Sequence, residues 1–245
     1  MSSTTYDRAF YEKITDGAQL SAREVVPYLI DLLQPKSVVD VGCGTGAWLS
    51  VFREHDIEDV FGIDGDYVDR HSLLIPHGQF LAVDLRHQIP IARQFDLVLS
   101  LEVAEHIPAS HTDIYLRHLE SLGDVIAFSA AVPNQGGQGH VNEQWPEYWK
   151  ELFEARGFIL VDALRHRIWN NRNVERWYRQ NLVLYVKKTR LVSDAALQKE
   201  YENSKDRVLS LIHPATYAAP SLSSLLHMVP GTLSRAIQRR WGRKT

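Results

Sequence analysis

The sequence predicts a doubly wound α/β fold built on a mostly parallel seven-stranded sheet. Two observations predict it. Short, almost continuous apolar runs alternate with segments of helical spacing, and the runs lack the polar alternation of a half-exposed sheet, so both faces are covered. A glycine-rich turn, Gly42-Cys43-Gly44-Thr45-Gly46, follows the first run, where such sheets open onto a ligand crevice.

Residues 6–34 read as helical. Ser21-Ala22-Arg23-Glu24 has the form of a capping box and predicts a helix start there, with Pro27 as a kink or delay. The strands follow as Ser37–Val41, Val60–Asp64, Gln79–Val83, Phe95–Leu101 and Val125–Ser129, then Phe158–Val161 and Leu182–Val186. Helices are expected directly after the glycine turn, at about 110–122, and at 146–156, the last closed by Gly157. From about residue 190 the pattern changes to helices broken by Pro214, Pro220 and Pro230. The expected organisation is a cofactor domain over 1–189 and a helical, basic extension over 190–245.

Composition narrows the class. The 245 residues are 44% hydrophobic and 23% charged, which suits one globular domain with a large core. A net charge of -3 argues against a dedicated nucleic-acid binder, and no DNA partner is expected. The single cysteine, Cys43, rules out an internal disulfide and fits a reducing compartment. No apolar leader core stands at Met1–Arg8 and no stretch is apolar enough to span a bilayer, so the expected location is the cytoplasm. A homodimer is left open.

The glycine turn formally matches the dinucleotide pattern G-x-G-x-x-A, which raises a nicotinamide oxidoreductase as one reading. Asp40, two residues before the first glycine, opposes it. A carboxylate there repels a pyrophosphate, whereas a ligand with an ammonium and a sulfonium gains from it. The glycines let the backbone pass close to that ligand. Asp64, at the tip of the second strand, can accept from both ribose hydroxyls. Asp84, after the third, can accept from an adenine amino group while Leu85 packs on the ring. Three acids at three successive strand ends face one crevice.

The string V-D-x-G-C-G-x-G, with Asp64 and Asp84 in step, resembles the class I S-adenosylmethionine-dependent methyltransferases over residues 20–187. The resemblance implies a seven-stranded Rossmann-like sheet whose last strand is antiparallel. It also implies that Asp40, Gly42, Cys43, Gly44 and Gly46 hold the methionine moiety, and that Asp64, Asp84, Leu85 and Leu101 line the rest of the cofactor.

Methyl transfer from a sulfonium is an in-line displacement, and an alcohol acceptor needs a base or a metal to lower its pKa. Glu102, Glu105 and His106 stand at i, i+3 and i+4, the spacing that gathers side chains on one face of a helical turn. The E-x-x-E-H string resembles the metal site of the ubiquinone-biosynthesis and small-RNA 2′-O-methyltransferases. That resemblance implies His140 as a fourth ligand beside Glu102, Glu105 and His106, and Mg²⁺ as the ion. Two imidazoles suit Mn²⁺, Co²⁺, Ni²⁺ or Zn²⁺ at least as well. Without a metal, His106 or His140 becomes the general base, with Glu105 beside them. A cofactor-binding module without catalysis would have no use for this group.

Residues 134–143 are glycine-rich and predict a mobile rim over the site. Beyond them lie Trp145, Tyr148, Trp149, Trp169, Trp177 and Tyr178, with Asn170, Asn171, Arg172, Asn173 and Arg176 among them. Aromatic faces with amides and guanidinium groups suit a polyhydroxylated ligand. The four-residue spacing of Trp145 and Trp149 suits a buried helix face instead, so segment 168–179 carries the expectation. The string G-x-G-H-V-N-E-Q-W-P-x-Y-W resembles methyltransferases of bacterial polysaccharide and glycoconjugate pathways, which implies O-methylation of a saccharide hydroxyl. A phenol, a quinone precursor or an RNA 2′-hydroxyl are the alternative acceptors. The C-terminal Arg235, Arg239, Arg240, Arg243 and Lys244, interleaved with Leu233, Ile237 and Trp241, read as a solvated helix or as a membrane-surface or partner-binding one.

Overall fold

The computed structural model describes residues 8–217. Helix α1 (Arg8–Leu33) leads into β1 (Ser37–Val41), α2 (Ala47–Glu54), β2 (Asp59–Asp64), β3 (Phe80–Ala82) and β4 (Leu97–Leu101). Then come α3 (Thr112–Leu122), β5 (Val125–Ser129), α4 (Pro146–Glu154), β6 (Phe158–Val161), α5 (Arg165–Ile168) and α6 (Arg176–Asn181). The body closes with β7 (Val183–Lys187), α7 (Lys188–Ser193) and α8 (Ala195–Ser204).

The seven strands form one sheet in the order β3-β2-β1-β4-β5-β7-β6, parallel except for β7. The chain leaves β1 in one direction for β2 and β3, then returns to its other side for β4 and β5. The C-terminal ends of β1 and β4 therefore flank the switch point, where an open α/β sheet leaves room for a ligand. Because β7 runs backwards, its start and the α6 helix before it stand at that same end.

Side chains alternate across the strands, so each strand feeds two cores. Val38, Leu97, Leu99, Val125 and Ala127 pack under α1 and α2. Val39, Val98, Ile126, Phe128 and Tyr185 pack against α3 and α4, where Phe153 stacks on Tyr185 at 3.9 Å. Trp149 belongs to this second core, 5.3 Å from Phe128, while Trp145 caps α4 and stays exposed.

Helix α1 bears out the helical reading of residues 6–34 over its described part, without a start at Ser21. Its apolar stripe of Ala22, Val25, Val26, Leu29 and Leu33 is buried as one face, and Pro27 lies on the exposed side of an unbroken helix. Ser21 Oγ donates 2.7 Å back to the Gly17 carbonyl and accepts from the Glu175 backbone N–H at 2.9 Å. Glu24 takes the Asn171 and Asn173 side-chain amides instead of closing a capping box. Segment 168–179 also differs from expectation, since α6 forms within it and buries Tyr178 against Trp48 of α2, rings 5.1 Å apart.

The compact body continues through α7 and α8 to His213. Within it Arg165, almost fully buried, pairs with Asp162 at 2.8 Å and donates to the Leu209 carbonyl at 2.6 Å, which pins residues 205–213 to β6 and α5. A second unit begins at Pro214, and its described part is a 3₁₀ turn, Pro214–Tyr217. The basic stretch with Arg235, Arg239, Arg240, Trp241, Arg243 and Lys244 lies outside the described residues. Among the described residues no helix is long and apolar enough to cross a membrane.

Candidate active site

At the end of β1 the chain turns through Gly42, Gly44 and Gly46, all at positive φ (89°, 53° and 82°). A Cβ at Gly42 would stand 2.3 Å from Val103 Cγ2, so only glycine lets this turn lie against the loop after β4. A Cβ at Gly44 would meet nothing within 4 Å, so this backbone faces open space. Asp64, at the end of β2, fixes the turn by accepting from the Gly44 N–H and the Gly65 N–H, each at 2.6 Å. It also accepts from the Tyr67 hydroxyl, so one of its oxygens already holds an O–H donor of the kind a ribose offers.

Asp40 is 3% exposed. Burial, and then the charge of Asp64, push its carboxyl up to about 7. A carboxylate held this way is short of a cation. Cys43 is buried, with its thiol against Gly62 and pushed up by burial, which makes it a packing group. Leu85 and Leu101 are buried at the same end of the sheet. Asp84 is half exposed, and Arg86 grips both its oxygens at 2.6–3.1 Å. Those bonds, foremost, hold its carboxyl far below the usual range.

The end of β4 carries the second group. Glu102 has φ 57°, a left-handed backbone that a side chain with a Cβ rarely adopts. Its N–H is held by Ser129, through the carbonyl at 2.9 Å and the hydroxyl at 3.1 Å. Its carboxylate accepts from Gln135 Nε2 at 2.8 Å and Asn181 Nδ2 at 3.2 Å. Burial raises its pKa against the pull of these bonds.

A 3₁₀ turn, Ala104–His106, follows. The single helical face expected for Glu102, Glu105 and His106 does not form, because the left-handed step at Glu102 sends its side chain toward the amides. The group that comes together is Glu105, His106 and His140, with one ligand atom from each within 4.8 Å of the others. Glu102 is not part of it.

Glu105 is 0% exposed, and neither carboxylate oxygen makes a well-formed hydrogen bond. Burial, then the charge of Glu102, push its pKa well up. His106 Nδ1 lies 3.3 Å from the Gly139 carbonyl, which accepts its proton and leaves Nε2 with a free lone pair. Burial, then the neighbouring His140, hold its pKa down. His140 Nδ1 donates to Glu143 Oε1 at 2.8 Å, and its Nε2 stands 4.0 Å from Glu105 Oε1. Both imidazoles are therefore oriented by their far nitrogen, the arrangement metal-ligating histidines use.

Glu143, Gln135 and Asn181 were not legible in the sequence as site residues. Only Glu143 had a signal, its three-residue offset from His140. Its carboxylate also takes the Asn134 and Gly136 N–H groups, and Val141 and Asn142 N–H bond the Glu105 carbonyl, so the glycine-rich rim is tied to the site. Burial alone would raise Glu143, but the His140 bond and these N–H donors hold it below the usual range.

Residues 15–124 match a family model described as a methyltransferase domain. The chain carries a methyltransferase domain. Solved structures of the same fold include a sugar N-methyltransferase from Streptoalloteichus sp. (TM-score 0.55, 16% identity, 77% of this chain and 98% of that one). Another is an amino pentose methyltransferase from Micromonospora echinaspora involved in calicheamicin biosynthesis (TM-score 0.53, 17% identity, 76% of this chain and 100% of that one). A candidate O-methyltransferase from Nostoc punctiforme is similar over 73% of this chain (TM-score 0.53, 14% identity), and the methyltransferase spans 59% of that protein's length. At these identities the likeness is one of fold. No curated protein matches the methyltransferase in sequence.

The residues present fit the cofactor. A buried carboxyl at Asp40 lacks a cation, the Gly44 backbone opens onto space, and Asp64 accepts a hydroxyl.

Proposed function

We propose that this methyltransferase transfers the cofactor's methyl group to a hydroxyl of a saccharide or glycoconjugate, assisted by a divalent cation, Mg²⁺ or Mn²⁺, at Glu105, His106 and His140. The observation that carries the reading is Glu105. A fully buried carboxylate without a well-formed hydrogen bond, eased only by the Glu105 and Ala131 backbone N–H groups and by His140 at 4.0 Å, is costly unless a cation completes it. One carboxylate and two imidazoles form a donor set suited to such an ion, and leave positions for two acceptor oxygens. The cofactor supplies an electrophilic methyl on a sulfonium, and a bound cation would lower the pKa of the acceptor hydroxyl.

The chain's own residues do the rest. Asp40, ionised, would hold the cofactor's positive end, and Asp64 would receive its ribose hydroxyls. Asp84, with Leu85, would take the adenine by letting go of Arg86. Glu102, locked by Gln135, Asn181 and Ser129, is a wall of the acceptor site and not a ligand. Glu143 keeps the Nδ1 proton of His140, so that Nε2 would serve as ligand, or as base where no ion is bound. Trp169, Trp177 and Arg176, only partly buried at the same end of the sheet, are the groups this reading assigns to the sugar. The sugar N-methyltransferase and the amino pentose methyltransferase among the structures of like fold support a saccharide acceptor.

The test is transfer of a labelled methyl group to a panel of neutral sugars, amino sugars and catechols, with Mn²⁺ or with a chelator. Transfer to sugar hydroxyls that the chelator abolishes is expected. Transfer confined to amino groups, or indifferent to the chelator, contradicts the reading.

A further inference from the structure

Most arginines of the described residues, Arg23, Arg53, Arg86, Arg93, Arg156 and Arg165 among them, are held by a carboxylate. Arg172, Arg176 and Arg179 have no ion-pair partner among the described residues. The Nε atoms of Arg176 and Arg179 are buried without a hydrogen-bond acceptor. A guanidinium in that state has given up water on one edge and gained nothing for it.

The three lie at the functional end of the sheet. Arg176 and Arg179 share a face of α6 at i, i+3, and α6 ends in Gln180 and Asn181, of which Asn181 binds Glu102 and Gln135. Tyr178, between them, packs inward on Trp48 beside the glycine turn. Arg179 is held below its ordinary pKa by burial, against the pull of Glu175, with Arg172 adding repulsion. The nearest acids do not cancel the charge. Glu175 is one carboxylate against three guanidinium groups, and Glu24 is engaged by Asn171 and Asn173 at 2.7 and 2.8 Å. Arg176 also lies over the Trp177 ring, 5.4 Å from its centroid, so an aromatic side chain adjoins the cationic face.

We propose that Arg172, Arg176 and Arg179 bind a phosphoryl group carried by the acceptor, which makes the substrate a phosphorylated saccharide. Three guanidinium groups offer more donors than one carboxylate can accept, whereas the oxygens of a phosphoryl group can engage two or three forks. The assignment rests on the saccharide reading above and names the anionic part of that substrate.

Calorimetry on the full chain saturated with S-adenosylhomocysteine tests it, with glucose 1-phosphate, inorganic phosphate and glucose as probes. Glucose 1-phosphate is expected to bind more tightly than either of the others, and more weakly as salt rises. Arg176→Gln/Arg179→Gln, and separately the exposed Arg172→Glu, should each weaken it about tenfold or more, since a bond to a charged group is worth roughly 1.5–3 kcal/mol. S-adenosylhomocysteine binding should be unchanged in both variants. No heat from either anion in protein that binds S-adenosylhomocysteine overturns the phosphoryl site and leaves the methyltransferase intact. Inorganic phosphate binding as tightly as the sugar phosphate overturns the acceptor assignment, as does anion binding indifferent to the arginine variants. Failure to bind S-adenosylhomocysteine at all strikes the cofactor reading itself.

Discussion

Asp40 is a carboxyl placed where it is uncomfortable until a cation arrives. In the cofactor-free protein it titrates at about 7, above the ordinary value of about 3.9 for an unfolded chain. The folded state therefore binds this proton more tightly than the unfolded one. Its contribution to stability is fully present below the ordinary value and is lost as pH rises through 7. Asp40→Asn should flatten that slope, so that above pH 7 the cofactor-free variant melts higher than the parent. The same variant should bind S-adenosylhomocysteine at least about tenfold more weakly at pH 8, since the ammonium loses a charged partner. Melting curves from pH 4 to 8 check the first part, and equal slopes in both proteins would contradict it. The places of Asp40, Asp64 and the glycines at neighbouring strand ends were legible because the apolar runs end at them. The engagement of Asp84 with Arg86 was not, since an exposed two-residue ion pair has no periodic signature.

Among the elements, the rim over residues 134–143 shows how backbone shape sets chemistry. A Cβ at Gly137 would stand 2.1 Å from His140 Nε2, so any side chain there displaces the imidazole. Gly137→Ala should weaken Mn²⁺ binding about tenfold or more without removing a ligand, because a ligand held in place by packing and outer bonds loses that orientation. Titration of Mn²⁺ followed by electron paramagnetic resonance reads this directly, and unaltered affinity would count against His140 as a ligand. Farther along, Arg165→Met leaves Asp162 buried without its partner, and should cost about 3–5 kcal/mol in urea unfolding. It should also expose residues 205–213 to proteolysis. A loss below about 1 kcal/mol would place that pair among the dispensable ones. The strands were legible to within two residues because buried parallel strands are short continuous apolar runs. The capping box at Ser21 misled, since those residues serve tertiary contacts with the α5–α6 segment. Helix α6 was hidden because its buried face comes from Tyr178, Gln180 and Asn181, which no apolar periodicity marks.

At the scale of the molecule, the sheet brings four strand ends and the reversed start of β7 to one rim. The glycine turn, the Glu-His-His group and helix α6 thereby share one edge. That convergence was half legible. The parallel strands and their glycine turn announce the crevice, while the amides of Gln135 and Asn181 reach Glu102 only through the antiparallel return of β7. The same return separates Glu102 from the three residues expected to join it as ligands.

The measurement that bears most directly on this account is calorimetric titration of S-adenosylhomocysteine, with and without Mn²⁺, into the parent protein and Glu105→Ala/His140→Ala. The account predicts cofactor-product binding in both, and heat of Mn²⁺ binding in the parent that vanishes in the variant. Product binding with no Mn²⁺ response would contradict the cation site and leave the imidazoles as bases, and no product binding would contradict the crevice itself.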